Sequence, residues 1–415
     1  MKRLQLLCGL ALALLLGFFS GSASADYRIA VASDPHYIAP VLTDGGLYYQ
    51  SVLASGDSKF MPYSEEILDA FVEELLNAEE VPDALLLTGD LTFNGAVMSH
   101  EALAEKLRPL KEAGIRVLVT TGNHDVYNLN AARFEGESFT RVPFATTELF
   151  REIYGDFGFD DAVSTAPDSL SYMAALGDRL RVLVLDFNTL EHFYGISEET
   201  LAWAEEQLRT AERDGVPVIA AGHQNLFRHS LFYDGYVIAG AERLADLLRT
   251  YGVRLFLSGH LHIQHIRTEG DLTEIASSAL CSWPCQYGML TSKDGIWSYE
   301  TRRLDMAAWA DRNGRTEPVF QDFQAAAAEY MSSHSKITLP PDTEEAARER
   351  MLNWMRELNL AYFAGDLRNV SANDPDGSLA AAWLRPTDLT AAYVAGVLEE
   401  LGSDYTVWTE TAQAE

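Results

Sequence analysis

Five turns in the sequence place carboxylates, imidazoles and one carboxamide where short apolar runs end. Asp34 and His36 stand as Asp-x-His, Asp90 follows Gly89, and Gly122-Asn123-His124-Asp125 forms an unbroken block. His223 follows Gly222, and Gly259 precedes His260-Leu261-His262. Oxygen and nitrogen donors in this mixture suit borderline metals such as Mn, Fe or Zn, whereas an all-oxygen set would suit Mg or Ca. No cysteine stands among them, which argues against structural zinc. The donors exceed what one ion needs, so the set implies two ions about 3.5 Å apart that share a carboxylate and a water. Such a water is acidified to hydroxide near neutral pH and becomes a nucleophile. Taken singly, each His or Asp after a strand reads as a turn or capping residue. Five of the ten histidines at four of the five turns, with an aspartate at the other, are poorly explained that way.

The elements that must position these residues alternate. Short β-rich runs at 27–33, 84–88, 115–121, 181–187, 217–221 and 254–258 read as strands, and amphipathic segments at 64–79, 99–112 and 198–213 read as helices. From 262 to 302 short strands with glycine turns replace the helices. This is a layered α/β domain, and in such sheets ligands sit beyond the carboxyl ends of the strands, where all five turns lie. A glycine directly precedes four of the five polar groups, as close backbone approach requires. Residues 126–179, rich in Gly, Asp and Phe, read as an insert that forms either a wall of the site or a surface excursion. After 305 helical patterns at 319–332, 343–364 and 378–401, separated by Pro340-Pro341 and Asn373-Asp374-Pro375, read as a small helical C-terminal domain. The expected organisation is 1–25, a leader; 26–304, the catalytic domain; and 305–415, the helical domain.

The chain has 415 residues, with 31 Lys and Arg against 61 Asp and Glu, a formal charge of −30. That balance disfavours a nucleic-acid polymer as partner, because phosphate backbones are held by clustered cations. Lys2 and Arg3 precede an apolar run that ends in Gly21-Ser22-Ala23-Ser24-Ala25, which reads as a cleaved secretory signal rather than a membrane span. Removing Lys2 and Arg3 leaves 29 − 61 = −32. No later run is long and apolar enough for stable membrane insertion, so the expected protein is secreted. Cys281 and Cys285, spaced across Ser282-Trp283-Pro284, would favour a disulfide in an oxidising compartment. His229 reads as an exposed loop residue, and His265 as structural or exposed on the face opposite His262. Tyr37, Tyr127, Phe227 and Tyr287 flank the motifs, as site aromatics or as core.

In type and order these blocks resemble the calcineurin-like metallophosphoesterase superfamily, across residues 34–262. The resemblance implies a four-layer α/β/β/α sandwich. It implies that Asp34, His36 and His262 hold one metal, that Asn123, His223 and His260 hold the other, and that Asp90 bridges them. It also assigns His124 to the leaving oxygen, with Asp125 orienting its imidazole. Phe93 stands where purple acid phosphatases carry a metal-binding tyrosine, and the Asp90 loop lacks the Asp-Arg pair of Ser/Thr protein phosphatases. Gly89-Asp90-Leu91-Thr92 with Gly-Asn-His-Asp is more similar to class III cyclic-nucleotide phosphodiesterases and their secreted bacterial relatives. The expected activity is hydrolysis of small phosphodiesters by a metal-bridged hydroxide. A phosphomonoesterase or nucleotidase, or a non-catalytic metal-binding scaffold, are the alternatives. On the leader reading, protein recovered outside the producing cell begins at Asp26, which N-terminal sequencing checks; an N-terminus that retains Lys2 and Arg3 refutes it.

Overall fold

The computed structural model describes residues 26–55, 58–230, 236–335, 337–370, 374–386 and 388–410; the expected leader lies outside the described residues. In chain order the strands are β1 (Tyr27–Ala32), β2 (Ala84–Leu87), β3 (Arg116–Val119), β4 (Ala132–Glu135), β5 (Ser138–Arg141), β6 (Ser164–Thr165), β7 (Tyr172–Leu176) and β8 (Leu180–Val184). They continue as β9 (Val218–Ala221), β10 (Leu255–Ser258), β11 (His265–Glu269), β12 (Leu272–Ala276), β13 (Gln286–Lys293), β14 (Ile296–Arg303) and β15 (Val407–Thr409). One sheet runs β15-β14-β13-β1-β2-β3 and the other β11-β12-β10-β9-β8-β7-β6, while β4 and β5 form a separate hairpin.

Parallel pairing is confined to the strands that carry the motifs and their immediate neighbours. β1, β2 and β3 are mutually parallel in the first sheet, and β8, β9, β10 and β12 in the second. The antiparallel strands β13 to β15, β11, β7 and β6 extend the edges. Parallel strands are buried on both faces and read as unbroken apolar runs, as Ala84-Leu85-Leu86-Leu87 does.

Apolar residues of both sheets, including Val31, Leu87, Val184, Ala221 and Leu257, share one core. The helices Ser64–Leu76 and Val97–Glu112 add Ile67, Phe71, Leu103 and Leu107 to it. On the second sheet, Leu201 and Leu208 of helix Glu198–Asp214 and Leu244 and Leu248 of helix Ala241–Thr250 pack with Leu183 and Phe256 in a core of their own. The fold is therefore a four-layer α/β/β/α sandwich.

Three expectations change. Tyr172–Leu176, within the stretch read as an insert, is a sheet strand, because its apolar run pairs with β8 across a tight turn at Gly177. The helical stretch after 305 also divides. Met306, Trp309, Phe320 and Phe323 belong to the sandwich core, whereas Met351, Trp354, Leu358, Trp383, Val394 and Val397 gather a separate core that includes Ile263. The chain then returns as β15 to the edge of the first sheet. Cys281 and Cys285 are buried and are not joined in a disulfide, a correction to the bridged reading. Burial pushes the Cys285 thiol up to about 12, so it stays protonated. Among the described residues no helix is long and apolar enough to cross a membrane.

Trp354 is almost fully buried in the C-terminal core. Trp354→Ala should destabilise that unit by about 3–5 kcal/mol through lost burial and a residual cavity. Chemical denaturation followed by tryptophan fluorescence measures this, and an unchanged midpoint would contradict the packing described.

Candidate functional site

The motif turns are zipped to one another before any side chain is considered. The backbone N–H groups of Asp34 and His36 donate to Gly89 and Asp90 carbonyls at 3.1 and 3.0 Å, joining the first two turns. Gly259 N–H donates to the His223 carbonyl at 3.0 Å, joining the last two. The sheets are then stitched together: His260 N–H donates to Asp34 Oδ2 at 3.0 Å, and Leu280 N–H to the Ser33 carbonyl at 2.9 Å. His124 N–H donates to Asp90 Oδ1 at 2.8 Å and ties in the third turn.

These bonds leave one oxygen of each carboxylate aimed at the imidazoles. Asp34 Oδ1 has no hydrogen-bond partner, and lies 3.3 Å from His262 Nε2 and 3.5 Å from His36 Nε2. Asp90 Oδ2 lies 3.3 Å from His223 Nε2 and 3.7 Å from His36 Nε2. His36 and His262 Nε2 are 3.2 Å apart, and His260 Nδ1 is 3.1 Å from His223 Nε2. Two groups of donors result: Asp34, His36, Asp90 and His262, and Asp90, His223 and His260, the atoms of each lying within 4.8 Å of one another. Asp90 is common to both. Asn123 Oδ1 is also buried without a partner, on the loop that carries His124.

The donor set fits a cation. Burial, then the charge of Lys59, lowers the proton affinity of His36 to about 3. Burial and His223 lower His260 to about 3, so both rings offer lone pairs. Burial opposes ionisation of Asp34, yet His262 and His223 hold it well below the usual carboxylate range, and His223 and His124 do the same for Asp90. Burial also opposes charge on His223, but Asp90 and Asp34 raise it to about 9. Its Nδ1 donates to the Thr88 carbonyl at 2.7 Å, which turns Nε2 towards the carboxylates.

Local backbone geometry is unusual here. Asp34, His36, Asp90, His260 and His262 all have positive φ, between 42° and 70°. This left-handed region is costly for residues with a Cβ and collects at functional sites. Glycines admit the approach: a Cβ on Gly122 would meet Asp90 Oδ1 at 2.1 Å, and one on Gly259 would meet Ser33 Oγ at 1.7 Å.

Asp125 does not orient His124, which corrects the expected pairing. Its oxygens accept the N–H groups of Leu91, Thr92 and Gly122 at 2.8–3.0 Å, and the Thr92 hydroxyl at 3.2 Å. The carboxylate points into the loop because three unpaired N–H groups face it there. His124 is held instead by the Phe93 carbonyl, which accepts from Nδ1 at 2.7 Å, leaving Nε2 3.9 Å from Asp90 Oδ2. His100, unremarked in the sequence, supports the same loop through the Asp125 carbonyl at 2.9 Å.

His229 is buried, contrary to the exposed reading, and His265 is buried too, as the structural one of its two readings has it. Their Nδ1 atoms are 2.9 Å apart, with Glu274 3.0 Å from His229 and Glu400 3.3 Å from His265. Glu274 accepts the N–H groups of Leu226 and Phe227 and the Ser258 hydroxyl, so it locks the turn after His223 to the end of β10. Of the flanking aromatics, Tyr37 and Tyr287 point to Glu65 and Glu74 in the first helical layer, and Phe227 is core. Tyr127 alone of the four lines a cavity beside His124. Lys59 was also missed: it is buried, and its charge reaches His36.

Residues 27–264 match the calcineurin-like phosphoesterase family, and the chain belongs to that family. It is 29% identical over 205 residues to a probable cyclic nucleotide phosphodiesterase of Rhodococcus erythropolis, covering 48% of this chain and 58% of that protein. It is 27% identical over 220 residues to a cAMP/cGMP dual specificity phosphodiesterase of Mycobacterium tuberculosis, covering 52% of this chain and 60% of the other. The chain thus spans about three-fifths of the length of these relatives. Among solved structures, a dimetal phosphatase from Danio rerio aligns with 67% of this chain and 96% of its own, with a TM-score of 0.47 and 13% identity.

The site gives the metal-free protein a pH signature. His36 and His260 bind protons more weakly than in the unfolded chain, so stability falls as pH drops from 6.5 towards about 3. His100, lowered to about 4 by burial, adds to this limb, and Asp125, raised to about 7 by burial and by Asp90, partly offsets it. His223 has the opposite sign: its contribution is complete below pH 6.5 and is lost as pH rises to about 9. Chelator-treated protein should therefore melt highest near pH 6.5, and His223→Gln should remove the alkaline limb. A Tm that stays level between pH 6.5 and 9 in the unsubstituted protein would contradict this.

Proposed function

We propose that the protein is a secreted, metal-dependent phosphoric ester hydrolase that cleaves small phosphodiesters. The observation that carries this is the pair of donor groups joined through Asp90, with His124 beside them and outside both. Asp34, His36, Asp90 and His262 would hold one ion, and Asp90, His223 and His260, with Asn123, the other; Mn, Fe and Zn suit these donors. Bound there, such ions would acidify a water and neutralise charge on a phosphate.

The chain's own groups supply the rest. His124 Nδ1 donates to the Phe93 carbonyl, so Nε2 is the atom that carries the proton passed to the departing oxygen. At this cleft His124 and His260 are partly exposed, as a group that meets substrate must be, whereas His36 and His223 are fully buried, and of the two only His124 stands outside both donor groups. Lys59 adds positive charge on the His36 side. Among the described residues the neighbouring cavity carries no Lys or Arg, which favours an ester bearing one phosphate charge over a dianionic monoester. The names of the two bacterial relatives point the same way and make cyclic nucleotides the first substrates to try.

Asp90→Asn should abolish turnover of bis(p-nitrophenyl) phosphate and lower metal content. His124→Ala should keep its metal and lose about 10²–10⁴-fold in kcat, the usual contribution of a positioned general acid. Elemental analysis and rates on bis(p-nitrophenyl) and p-nitrophenyl phosphate, with Mn, Fe or Zn, decide the matter. Full activity of Asp90→Asn sinks the mechanism, and a faster monoester reaction makes the protein a phosphomonoesterase.

A further inference from the structure

Beside His124 lies a cavity of 420 Å³ whose walls come from two loops, Tyr127 to Asn130 and Asn188 to Phe193. Its polar groups are largely committed to holding the walls. Asn188 and Gln224 exchange reciprocal amide hydrogen bonds at 2.6 and 3.2 Å, and Asn188 also donates to the Thr121 carbonyl. Asn128 donates to the His124 carbonyl at 3.0 Å and accepts from Asn130 N–H at 2.9 Å. Tyr127 is paired with the Thr147 hydroxyl at 2.8 Å.

Three large apolar side chains also line the cavity. Leu129, Leu190 and Phe193 are 74%, 65% and 60% exposed, although most large apolar side chains of this protein are buried. Three such residues from two separate loops around one cavity mark a surface shaped for a ligand rather than scattered exposure. Among the described residues the lining holds no Lys, Arg, Asp or Glu, in a chain of charge −30. An anionic ring substituent seated among Leu129, Leu190 and Phe193 would lose its water and meet no Lys or Arg among the described lining residues.

We infer that this cavity is the subsite for the alcohol side of the scissile bond, and that it selects an alcohol that bears an uncharged, flat aromatic or heteroaromatic ring. Position supports this assignment: His124, the group proposed to protonate the leaving oxygen, forms part of the wall, so the alcohol it releases is already inside. The inference rests on the phosphodiesterase reading and adds its substrate class. Leu129, Leu190 and Phe193 are specificity residues in it, in contact with the ring and not with the reacting atoms.

Two esters separate the possibilities, methyl p-carbamoylphenyl phosphate and methyl p-carboxyphenyl phosphate, which differ in the charge of the departing ring. The unsubstituted enzyme should prefer the carbamoyl ester by about tenfold or more in kcat/KM. Phe193→Ala and Leu190→Ala should raise KM for that ester about five- to tenfold while changing kcat far less, the mark of lost ring binding. Leu190→Arg should collapse the preference by improving the carboxy ester. A direct readout uses the product alcohol p-hydroxybenzamide and chelator-treated protein: its NMR lines should broaden with the unsubstituted protein and sharpen with Phe193→Ala, and p-hydroxybenzoate should not bind. Equal use of both esters with unaltered KM in the variants overturns the subsite and leaves the hydrolase reading intact. Absence of any phosphodiester turnover overturns the hydrolase reading, and p-hydroxybenzamide binding then decides the cavity by itself.

Discussion

Two carboxylates and four imidazoles occupy a nearly dry volume at the meeting of two sheets, and the rest of the structure is arranged around that crowding. Buried carboxylates demand positive charge and hydrogen-bond donors. Backbone N–H groups of His124 and His260 and the Ser33 hydroxyl satisfy the outward oxygens of Asp90 and Asp34. The inward oxygens face only imidazole nitrogens. Without a cation, the proton on His223 answers part of that demand, which is why Asp90 and Asp34 hold it so firmly. A cluster of this kind is stable as a folding unit only when something positive sits in it, so metal uptake and structural integrity of the centre are one property.

Convergence of this many side chains also constrains the main chain. Five of the proposed ligands adopt left-handed backbone conformations, at a cost of about 1–3 kcal/mol each, offset by the large core behind them. Strands alone would send successive side chains to opposite faces; a left-handed residue at the strand end reverses the chain and turns its side chain into the crevice. Gly122 and Gly259 make the crowding sterically feasible. The C-terminal unit backs the same region: Ile263, next to His262, is part of its core, and Gln264 is bonded to Phe363 and Tyr405. Glu400 reaches the His265–His229–Glu274 chain behind the His223 turn. The helical unit is therefore built into the support of the second sheet.

Much of this was legible in the sequence. The parallel strands betrayed themselves as short unbroken apolar runs, and the five turns at their ends named every residue of the two donor groups. Less legible were contacts that depend on direction. Asp125 follows His124 in the chain, yet its carboxylate faces Leu91, Thr92 and Gly122 N–H groups, and a carbonyl takes over the imidazole. Adjacency in sequence does not say which way a side chain leaves a tight loop. His229 looked like an exposed residue, and His265 could be read either way, because their partners, Glu274 and Glu400, lie 45 and 135 positions away along the chain.

The sequence by itself determined the ligand types, their order, the layered α/β pattern and the acidic balance, since each follows from local composition and the period of apolar residues. Tertiary structure decided which oxygen of each carboxylate faces inward, that the thiols of Cys281 and Cys285 stay apart, that 306–333 serves the sandwich core, and that Leu129, Leu190 and Phe193 open onto one cavity. Those outcomes depend on groups distant in the chain meeting at one point. Such meetings are fixed by the packing of the two sheets against each other, which no local pattern encodes.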